Sequence, residues 1–225
     1  MTFVKICGLT NKDQLIAACR AGADYAGLVF AAGSKRQVSL QDARGIVQVL
    51  QNRSPRPKIV GIFANQNIEE INRIARECSL DYVQLSGNET ASDCACVQYP
   101  VIKVIHIRNG MTSRDVLYTI NSYAISGLEQ ELLFLLDSGN SNSFGGTGIT
   151  FNWQIACEVS AEHAVIIGGG LNPENVKQLI NEVNPWGVDV SSGVETGGVK
   201  DINKIKAFIE AVRFQNKMAG TVPRE

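Results

Sequence analysis

Two residues whose side chains could move protons each follow a short apolar run. Asp137 comes directly after residues 132–136, five consecutive apolar residues, and Cys7 ends the first apolar run of the chain. Alternation along a strand places Asp137 on the same face as Leu133 and Leu135. A carboxylate that leaves an apolar strand is costly unless it has a partner or a function. A thiolate, in turn, is the form of cysteine that accepts a proton. The pair therefore indicates general acid–base chemistry at the ends of two strands.

Lys5 and Asp189 bear on whether Cys7 can act as a base. At an unperturbed pKa of about 8.5, only about 3% of a thiol is ionised at pH 7. Lys5 lies two residues before Cys7 on the same strand face, and Asp189 is expected to face inward from the last strand. Two arrangements stay open and do not exclude each other: Lys5 pairs with Asp189, or Lys5 also favours the thiolate. Simple structural roles also remain, Cys7 as a small buried thiol and Asp137 as a loop cap.

Many of the 21 glycines gather after the last three predicted strands. The clusters are Gly139 with Gly145-Gly146-Thr147-Gly148, then Gly168-Gly169-Gly170, then Ser191-Ser192-Gly193 with Gly197-Gly198. Glycine lets main-chain N–H groups approach an anion closely, and a short helix beginning beyond Ser191-Ser192-Gly193 would add a favourable dipole. A single glycine is explained by a tight turn, whereas three such clusters predict a site for a phosphorylated small molecule. The residues expected to bind it are Gly146, Gly169, Gly170, Ser191, Ser192 and Gly193.

Eight strand-like runs alternate with helical segments and must position these groups. The predicted strands are residues 4–7, 26–30, 59–64, 82–85, 101–107, 132–137, 164–167 and 188–190. Several are continuously apolar, which is typical of parallel strands buried on both faces. Eight units of about 25–30 residues predict an α/β fold, a (β/α)₈ TIM barrel, as one domain over residues 1–215 with a polar tail at 216–225. A doubly wound open sheet is the alternative, but Gly8-Leu9-Thr10 follows the first strand without a GxGxxG motif.

The charge balance, the apolar stretches and the cysteine and histidine content argue against several classes of protein. The chain has 21 basic and 22 acidic residues, a net charge of -1 and no basic block longer than Lys35-Arg36, which argues against nucleic-acid or membrane partners. No apolar stretch approaches the roughly 18 residues of a membrane helix, and the first residues lack a secretory pattern, so we expect a cytoplasmic protein. The six cysteines form no CxxC pair and there are two histidines, so no metal site is predicted.

Longer motifs at the same strand ends resemble a known enzyme family, phosphoribosylanthranilate isomerase. They are Lys5-Ile6-Cys7-Gly8-Leu9-Thr10, Ala21-Gly22-Ala23-Asp24, Gln84-Leu85-x-Gly87-x-Glu89, Leu136-Asp137-Ser138, Gly145-Gly146-Thr147-Gly148-x-Thr150-Phe151-x-Trp153, Gly169-Gly170-Leu171-Asn172-Pro173-Glu174-Asn175-Val176 and Gly187-Val188-Asp189-Val190-Ser191-Ser192-Gly193-Val194-Glu195. The resemblance extends over residues 5–213. Each motif alone is modest evidence, but their order along the chain makes the set specific.

The resemblance implies an Amadori rearrangement in tryptophan biosynthesis, without a cofactor. The substrate would be N-(5-phosphoribosyl)anthranilate and the product the corresponding 1-deoxyribulose 5-phosphate. Asp137 matches the general acid that protonates the furanose oxygen, and Cys7 matches the general base that removes the C2 proton. Arg36 matches the position that binds the anthranilate carboxylate, a pairing suited to guanidinium, although a solvated charge beside Lys35 is the alternative. Asp189 is included among the substrate-binding residues, and a monomer or a homodimer is expected.

Two departures from the family pattern fall on the anthranilate side. The family usually has His where this chain has Ser86, and Asp where it has Asn88, so an imidazole that would face the site is missing from the fourth strand. The loop after the second strand also lacks the usual Ser-Pro-Arg before an aromatic residue. Two other functions therefore stay open: a related phosphosugar-barrel isomerase with a different aglycone, and a non-catalytic barrel that binds a phosphorylated metabolite.

Overall fold

Strands and helices alternate along the chain in the computed structural model, which describes residues 1–124, 131–138 and 151–220. The barrel strands are β1 Phe3–Ile6, β2 Tyr25–Val29, β3 Lys58–Phe63, β4 Tyr82–Leu85, β5 Val101–Ile107, β6 Leu132–Ser138, β7 Val165–Ile167 and β8 Gly187–Val190. The helices are α1 Lys12–Ala21, α2 Leu40–Gln48, α3 Ile68–Glu77, α4 Ala91–Cys96, α5 Ser113–Ala124, α6 Trp153–Glu162, α7 Val176–Val183 and α8 Ile202–Gly220. Every strand bound lies within one residue of its prediction.

The eight strands form one closed parallel barrel in chain order. Closure occurs where β1 pairs with β8, with Val4 opposite Val188 and Lys5 opposite Asp189. This pairing removes both edges of the sheet, so the predicted (β/α)₈ barrel is confirmed and the open doubly wound sheet is wrong. All strands run the same way, and their carboxyl ends therefore meet at one mouth of the barrel.

Two apolar layers explain why the strands are apolar on both faces. Inside the barrel lie Tyr25, Val60, Tyr82, Ile102, Val104, Leu133, Leu135 and Ile166. The layer between strands and helices includes fully buried side chains such as Ile6, Phe63, Leu85 and Phe208. Residues of each strand thus alternate between two buried environments, as expected for a parallel sheet covered by helices.

Side-chain caps begin several helices where the sequence predicts them. Asn11 and Ser39 accept hydrogen bonds from the main-chain N–H groups three residues on, and Asn67 accepts from the N–H two residues on. These contacts satisfy N–H groups that the first helical turn leaves without a partner. The sequence Asn172-Pro173-Glu174 predicts the start of α7, with Asn172 as the cap and Pro173 in the first turn, but this prediction is wrong by one turn. Asn172 accepts from two following N–H groups, but residues 173–175 form a turn and the helix starts at Val176.

The segment between β8 and α8 contains a hairpin that the sequence does not predict. A single 3₁₀ turn, Ser192–Val194, leads into a small antiparallel hairpin of β9 Glu195–Thr196 and β10 Val199–Lys200. Strands of two residues are too short to show a period. Helix α8 then continues to Gly220, so the expected division at residue 215 falls inside a helix. Residues 221–225 of the expected tail lie outside the described residues.

The described residues include neither a membrane-spanning helix nor a metal-binding cluster. None of the helices there combines the length and the apolar character needed to cross a membrane. In the same ranges, no group of three or more His, Cys, Asp or Glu side chains is arranged to hold a metal ion.

Candidate active site

The carboxyl ends of β1, β6 and β8 bring the predicted acid and base to one mouth of the barrel. Cys7 immediately follows β1, and Asp137 is the next-to-last residue of β6. Leu133 and Leu135 lie in the apolar layer inside the barrel, so strand alternation directs Asp137 into the same interior, one step closer to the mouth. The shared face that the sequence predicts for these three residues is therefore the inner face.

Below Cys7, Lys5 and Asp189 form the predicted ion pair. Lys5 Nζ donates to Asp189 Oδ1 at 2.9 Å, and the lysine side chain is 1% exposed. Burial lowers the pKa of Lys5, but Asp189 and Cys7 outweigh this effect and raise it overall, so Lys5 stays protonated. Asp189, expected among the substrate-binding residues, thus makes its observed contact with Lys5 in the centre of the barrel.

The surroundings of Cys7 favour its thiol form. Burial raises its pKa, and the negative charge of Asp189 raises it further, while the ammonium groups of Lys5 and Lys200 lower it. Desolvation outweighs both lysines because moving a thiolate out of water is costly. Lys5 therefore does favour the thiolate, as the second open arrangement supposes, but less strongly than burial opposes it. Part of Cys7 remains accessible at the mouth.

Asp137 is poised to carry a proton. Burial raises the pKa of its carboxyl to about 7, and the nearby charge of Asp189 raises it in the same direction. The N–H and hydroxyl of Ser138 act in the opposite sense but do not cancel the increase. Oδ1 is buried and accepts no hydrogen bond from another described residue. A carboxyl with this pKa is largely protonated below neutral pH and is suited to general acid catalysis.

Arg36 reaches from the loop after β2 toward the hairpin after β8. Its side chain is 22% exposed and forms a two-hydrogen-bond pair with Glu195, with Nε donating at 2.6 Å and Nη2 at 2.9 Å. Arg36 is therefore not a solvated loop charge. Glu195 occupies the Nε–Nη2 edge of the guanidinium, and Nη1 makes no hydrogen bond to another described residue. The outer edge is thus oriented to receive a second carboxylate.

Lys200 completes this group of charges. Its Nζ donates to a carboxylate oxygen of Glu195 and, at 2.9 Å, to the carbonyl of Ser191. Burial opposes ionisation of Glu195, but Arg36 and Lys200 together hold its pKa below the usual range. One buried carboxylate therefore joins the β2 loop, which carries Arg36, to the loop after β8. We call Arg36, Glu195 and Lys200 the mouth ion network.

The glycine-rich loops that are predicted to bind an anion follow β7 and β8 and lie against each other. Gly169 and Gly170 have φ values of +79° and +66°. A Cβ at Gly193 would overlap the Leu171 carbonyl, so only glycine lets the two loops touch there. The N–H groups of Gly169, Gly170, Ser192 and Gly193 donate to no other described residue. Converging N–H groups of this kind bind phosphate oxygens.

Other predicted groups fall around this anion site or outside the description. Ser191 donates its hydroxyl to the Cys7 carbonyl at 3.3 Å, which ties β8 to β1. The short helix expected beyond the Ser191-Ser192-Gly193 motif is the single 3₁₀ turn that begins at Ser192. Gly146, also expected to bind phosphate, lies outside the described residues.

A buried ion pair holds the loop after β4. Lys103 Nζ lies 2.7 Å from Glu89 Oε2, with the two side chains 4% and 3% exposed. Lys103 also donates to the carbonyl of Gly87, and Glu89 accepts the N–H groups of Asn65 and Gly87. Every strong polar group of the pair is thus satisfied, which keeps this part of the mouth in one conformation.

Sequence reasoning missed Glu195 and Lys200. Glu195 ends the last of the matched motifs, but nothing in its local pattern shows that it faces Arg36, 159 residues away. The sequence gives one weak indication that Lys200 pairs with Glu195, because Lys200 is the only charged residue between Glu195 and Asp201. Parity along a strand can place a side chain, but it cannot show which loops touch.

Comparison with known proteins identifies the family. The family model described as N-(5'phosphoribosyl)anthranilate (PRA) isomerase matches residues 4–211. The chain belongs to this family. The N-(5'-phosphoribosyl)anthranilate isomerase of Dehalococcoides mccartyi is 49% identical over 213 residues, covering 95% of this chain and 96% of that protein.

Two solved phosphoribosylanthranilate isomerase structures agree with the barrel. One comprises monomers generated from the dimeric enzyme of Thermotoga maritima, with a TM-score of 0.79 at 35% identity over 95% of this chain and 100% of that one. The other holds reduced 1-(o-carboxyphenylamino)-1-deoxyribulose 5-phosphate, with a TM-score of 0.78 at 34% identity and the same coverage. Membership in the phosphoribosylanthranilate isomerase family confirms the resemblance that the strand-end motifs indicate.

Proposed function

We propose that the protein isomerises N-(5'-phosphoribosyl)anthranilate to 1-(2-carboxyphenylamino)-1-deoxyribulose 5-phosphate, a step of tryptophan biosynthesis. The observation that carries this proposal is the placement of Asp137, with its pKa raised to about 7, across the barrel mouth from Cys7. Between them, the mouth offers an anion site on one side and the outer edge of Arg36 on another. These features match a substrate with a phosphate, a reacting sugar and an aromatic carboxylate.

Asp137 acts first, as the general acid. Its protonated carboxyl gives a proton to the furanose ring oxygen while the bond from that oxygen to C1 breaks. The electron pair on the anilino nitrogen forms a C=N bond to C1, giving an open-chain Schiff base. Because burial and the charge of Asp189 both disfavour its carboxylate, Asp137 keeps its proton up to about neutral pH and can give it to the ring oxygen as negative charge develops there.

Cys7 then acts as the general base. Its thiolate removes the C2 proton, the C2–H electron pair forms a C1=C2 bond, and the C=N pair returns to nitrogen. The resulting enolamine tautomerises to the ketose. The substrate gains one proton from Asp137 and loses one to Cys7, and C2 is oxidised as C1 is reduced, so no external oxidant or reductant is needed. Proton exchange with solvent returns Asp137 and Cys7 to their starting forms before the next turnover. Lys5 and Lys200 are the nearby cations that stabilise the thiolate form.

The two ends of the substrate are held by different loops. The glycine-lined loops after β7 and β8 bind the phosphate through Gly169, Gly170, Ser192 and Gly193, with Ser191 at their edge and Gly146 as a further proposed contact. Arg36 binds the anthranilate carboxylate by its outer edge, while Asp189 contributes through Lys5 rather than by direct contact. Fixing both ends restricts the sugar to the space between Asp137 and Cys7, which lowers the entropic part of the barrier.

Turnover of freshly prepared phosphoribosylanthranilate, followed by the loss of its fluorescence, tests the proposal. The unchanged protein should convert it, and Cys7→Ala and Asp137→Asn should each lower kcat by about 10²–10⁴-fold. Cys96→Ala and Asp13→Asn are matched controls, because both residues are exposed on helices. An inactive wild-type protein, or activity undiminished in both site variants, would refute the function.

Assembly and location complete the proposal. We expect a monomer or a homodimer, supported by the dimeric and monomeric forms of the Thermotoga maritima relative. A cytoplasmic location and the absence of nucleic-acid partners are supported by the net charge of -1 and the lack of long basic blocks. Light scattering of the purified chain at several concentrations checks the assembly state.

A further inference from the structure

A histidine of the next strand, His106, lies beside the β4 position that lacks an imidazole. Ser86 stands at the position where the family resemblance leads us to expect a histidine facing the site. In the structure, the carbonyl of Ser86 accepts a hydrogen bond from His106 Nε2 at 2.8 Å. His106 belongs to β5, the adjacent strand, and is the next-to-last residue of that strand. An imidazole is therefore present at this wall of the mouth, but a different strand supplies it.

Strand alternation directs His106 into the barrel. Ile102 and Val104 lie in the apolar layer inside the barrel, and His106 continues their face one step closer to the mouth. In the parallel ladder His106 is the register partner of Asp137. The two side chains thus stand side by side on neighbouring strands at the same height, and His106 is half-buried.

The ring is held in one tautomer and one charge state. A carbonyl oxygen only accepts, so Nε2 carries the hydrogen that reaches Ser86. Burial lowers the pKa of His106, and the positive charges of Lys103 and Arg108 lower it further, while the Ser86 hydrogen bond acts in the opposite sense. The His106 side chain is therefore a neutral aromatic ring that is fixed against the end of β4. The loop after β4 is itself held by the Lys103–Glu89 pair.

The order of the strands decides which part of the substrate His106 faces. The anion site lies after β7 and β8, and Asp137 on β6 acts at the ring oxygen of the sugar. His106 on β5 lies beyond Asp137 on the side away from the anion site. A substrate anchored by its phosphate therefore extends its arylamine end across the mouth, where β4 and β5 form the wall and Arg36 reaches in from the loop after β2.

We propose that His106 is a substrate-contacting residue for the arylamine end, supplying from β5 the imidazole that Ser86 does not provide on β4. The inference rests on the proposed function, since it assigns a residue to one end of that substrate. A neutral imidazole packs against an aromatic ring and can hydrogen-bond the anilino group without competing with Arg36 for the carboxylate.

Steady-state kinetics separate this contact from a structural role. His106→Ala should raise KM for phosphoribosylanthranilate about tenfold, while the inhibition constants of inorganic phosphate and ribose 5-phosphate stay unchanged. His106→Gln keeps an N–H that can reach the Ser86 carbonyl but loses the aromatic ring. If His106 only holds the β4 end, the glutamine variant regains wild-type KM and the inference is wrong. His163→Ala is the matched control, because His163 ends α6 at the opposite end of the barrel.

A second measurement does not depend on turnover. With two histidines in the chain, proton NMR gives two imidazole Hε1 signals, and His163→Ala assigns them. Saturation with reduced 1-(o-carboxyphenylamino)-1-deoxyribulose 5-phosphate should shift the His106 signal, whereas ribose 5-phosphate should not. An equal shift with both ligands, or with neither, would overturn the assignment. Loss of wild-type turnover would instead count against the proposed function, so the two failures are distinguishable.

Discussion

Replacing Glu195 with glutamine removes the negative charge and one of the two acceptor oxygens that hold the Arg36 guanidinium. In the structure both Glu195 oxygens accept from Arg36, at 2.6 and 2.9 Å, and the Glu195 side chain is 8% exposed. Glutamine keeps one acceptor but places an amide N–H₂ against the other guanidinium donor. The pair changes from two charge-assisted hydrogen bonds to one neutral acceptor facing a cation, and Arg36 loses its fixed orientation.

The size of the effect follows from the hydrogen bond that is lost. A hydrogen bond to a charged group contributes about 1.5–3 kcal/mol, which corresponds to about 10- to 100-fold in an equilibrium constant. Because the proposed role of Arg36 is to bind the carboxylate of the substrate and not its reacting atoms, this loss should appear in KM. We expect Glu195→Gln to raise KM about 10- to 100-fold while kcat changes less than about threefold.

Stability has to be measured in the same variant. Lys200 loses its charged partner in Glu195→Gln and its side chain is 2% exposed, so some destabilisation is expected. Adding Lys200→Met removes that unpaired charge and should recover much of the stability without restoring KM. Asp24→Asn is the matched control: it breaks another arginine–carboxylate pair, Arg213–Asp24 at 2.7 Å, at the other end of the barrel. Its KM should equal that of the wild type.

Three results would refute the reasoning about Glu195. An unchanged KM would show that Glu195 does not orient Arg36. A lower KM would show that Glu195 competes with the substrate carboxylate for the guanidinium. Recovery of KM in the Glu195→Gln/Lys200→Met double variant would show that the defect comes from the unpaired lysine. Fluorescence turnover at varied substrate concentration and urea unfolding supply the KM and stability values.

Three further predictions concern the pH dependence of kcat/KM, the stability supplied by the Lys103–Glu89 pair and the space around Cys7. kcat/KM should rise with pH until about 7, where Asp137 titrates, and should fall only above the raised pKa of Cys7. If the fall at high pH is unchanged in Cys7→Ser, another group is the base. Lys103→Met should destabilise the fold by about 3–5 kcal/mol in urea unfolding, because it leaves Glu89 charged and buried, and adding Glu89→Gln should recover part of this loss. Gly27→Ala puts a methyl group 2.9 Å from Ile62 Cδ1, 3.2 Å from Cys7 Cα and 3.5 Å from Cys7 Sγ, so Ile62 must shift and the thiol is crowded. We expect kcat to fall about tenfold or more at nearly unchanged phosphate inhibition, and full activity would show that Ile62 and the thiol have room to move.

The strands were predictable because their physical cause is local. A run such as residues 132–136 is apolar at every position, and only burial on both faces makes that pattern favourable. The α7 start was misplaced because Asn172 is a good cap for either a turn or a helix, and the sequence pattern does not distinguish them. The β9–β10 hairpin was missed because two residues per strand show no alternation.

The residues of the candidate site that lie on strands were predictable from the sequence, whereas those that depend on loop packing were not. Cys7, Asp137 and the Lys5–Asp189 pair were found because each lies on or beside a strand, where parity fixes the direction of a side chain. Glu195 and Lys200 lie in a hairpin and act on Arg36 from another loop, so their positions depend on how loops pack after the barrel closes. His106 was present in the sequence as one of two histidines, but its relation to Ser86 depends on the β4–β5 pairing.

The order of the two pKa values was also beyond the sequence, and it constrains the mechanism. The proposed acid, Asp137, has a pKa of about 7, while the pKa of the proposed base, Cys7, is raised above its ordinary value. The productive form, with Asp137 protonated and Cys7 ionised, is therefore a minority at every pH. Each unit by which the thiol pKa exceeds that of Asp137 lowers this population about tenfold, equivalent to about 1.4 kcal/mol. Lys5 and Lys200 both lower the thiol pKa, so these lysines limit the deficit. Removing either charge should therefore reduce the rate even if the substrate still binds.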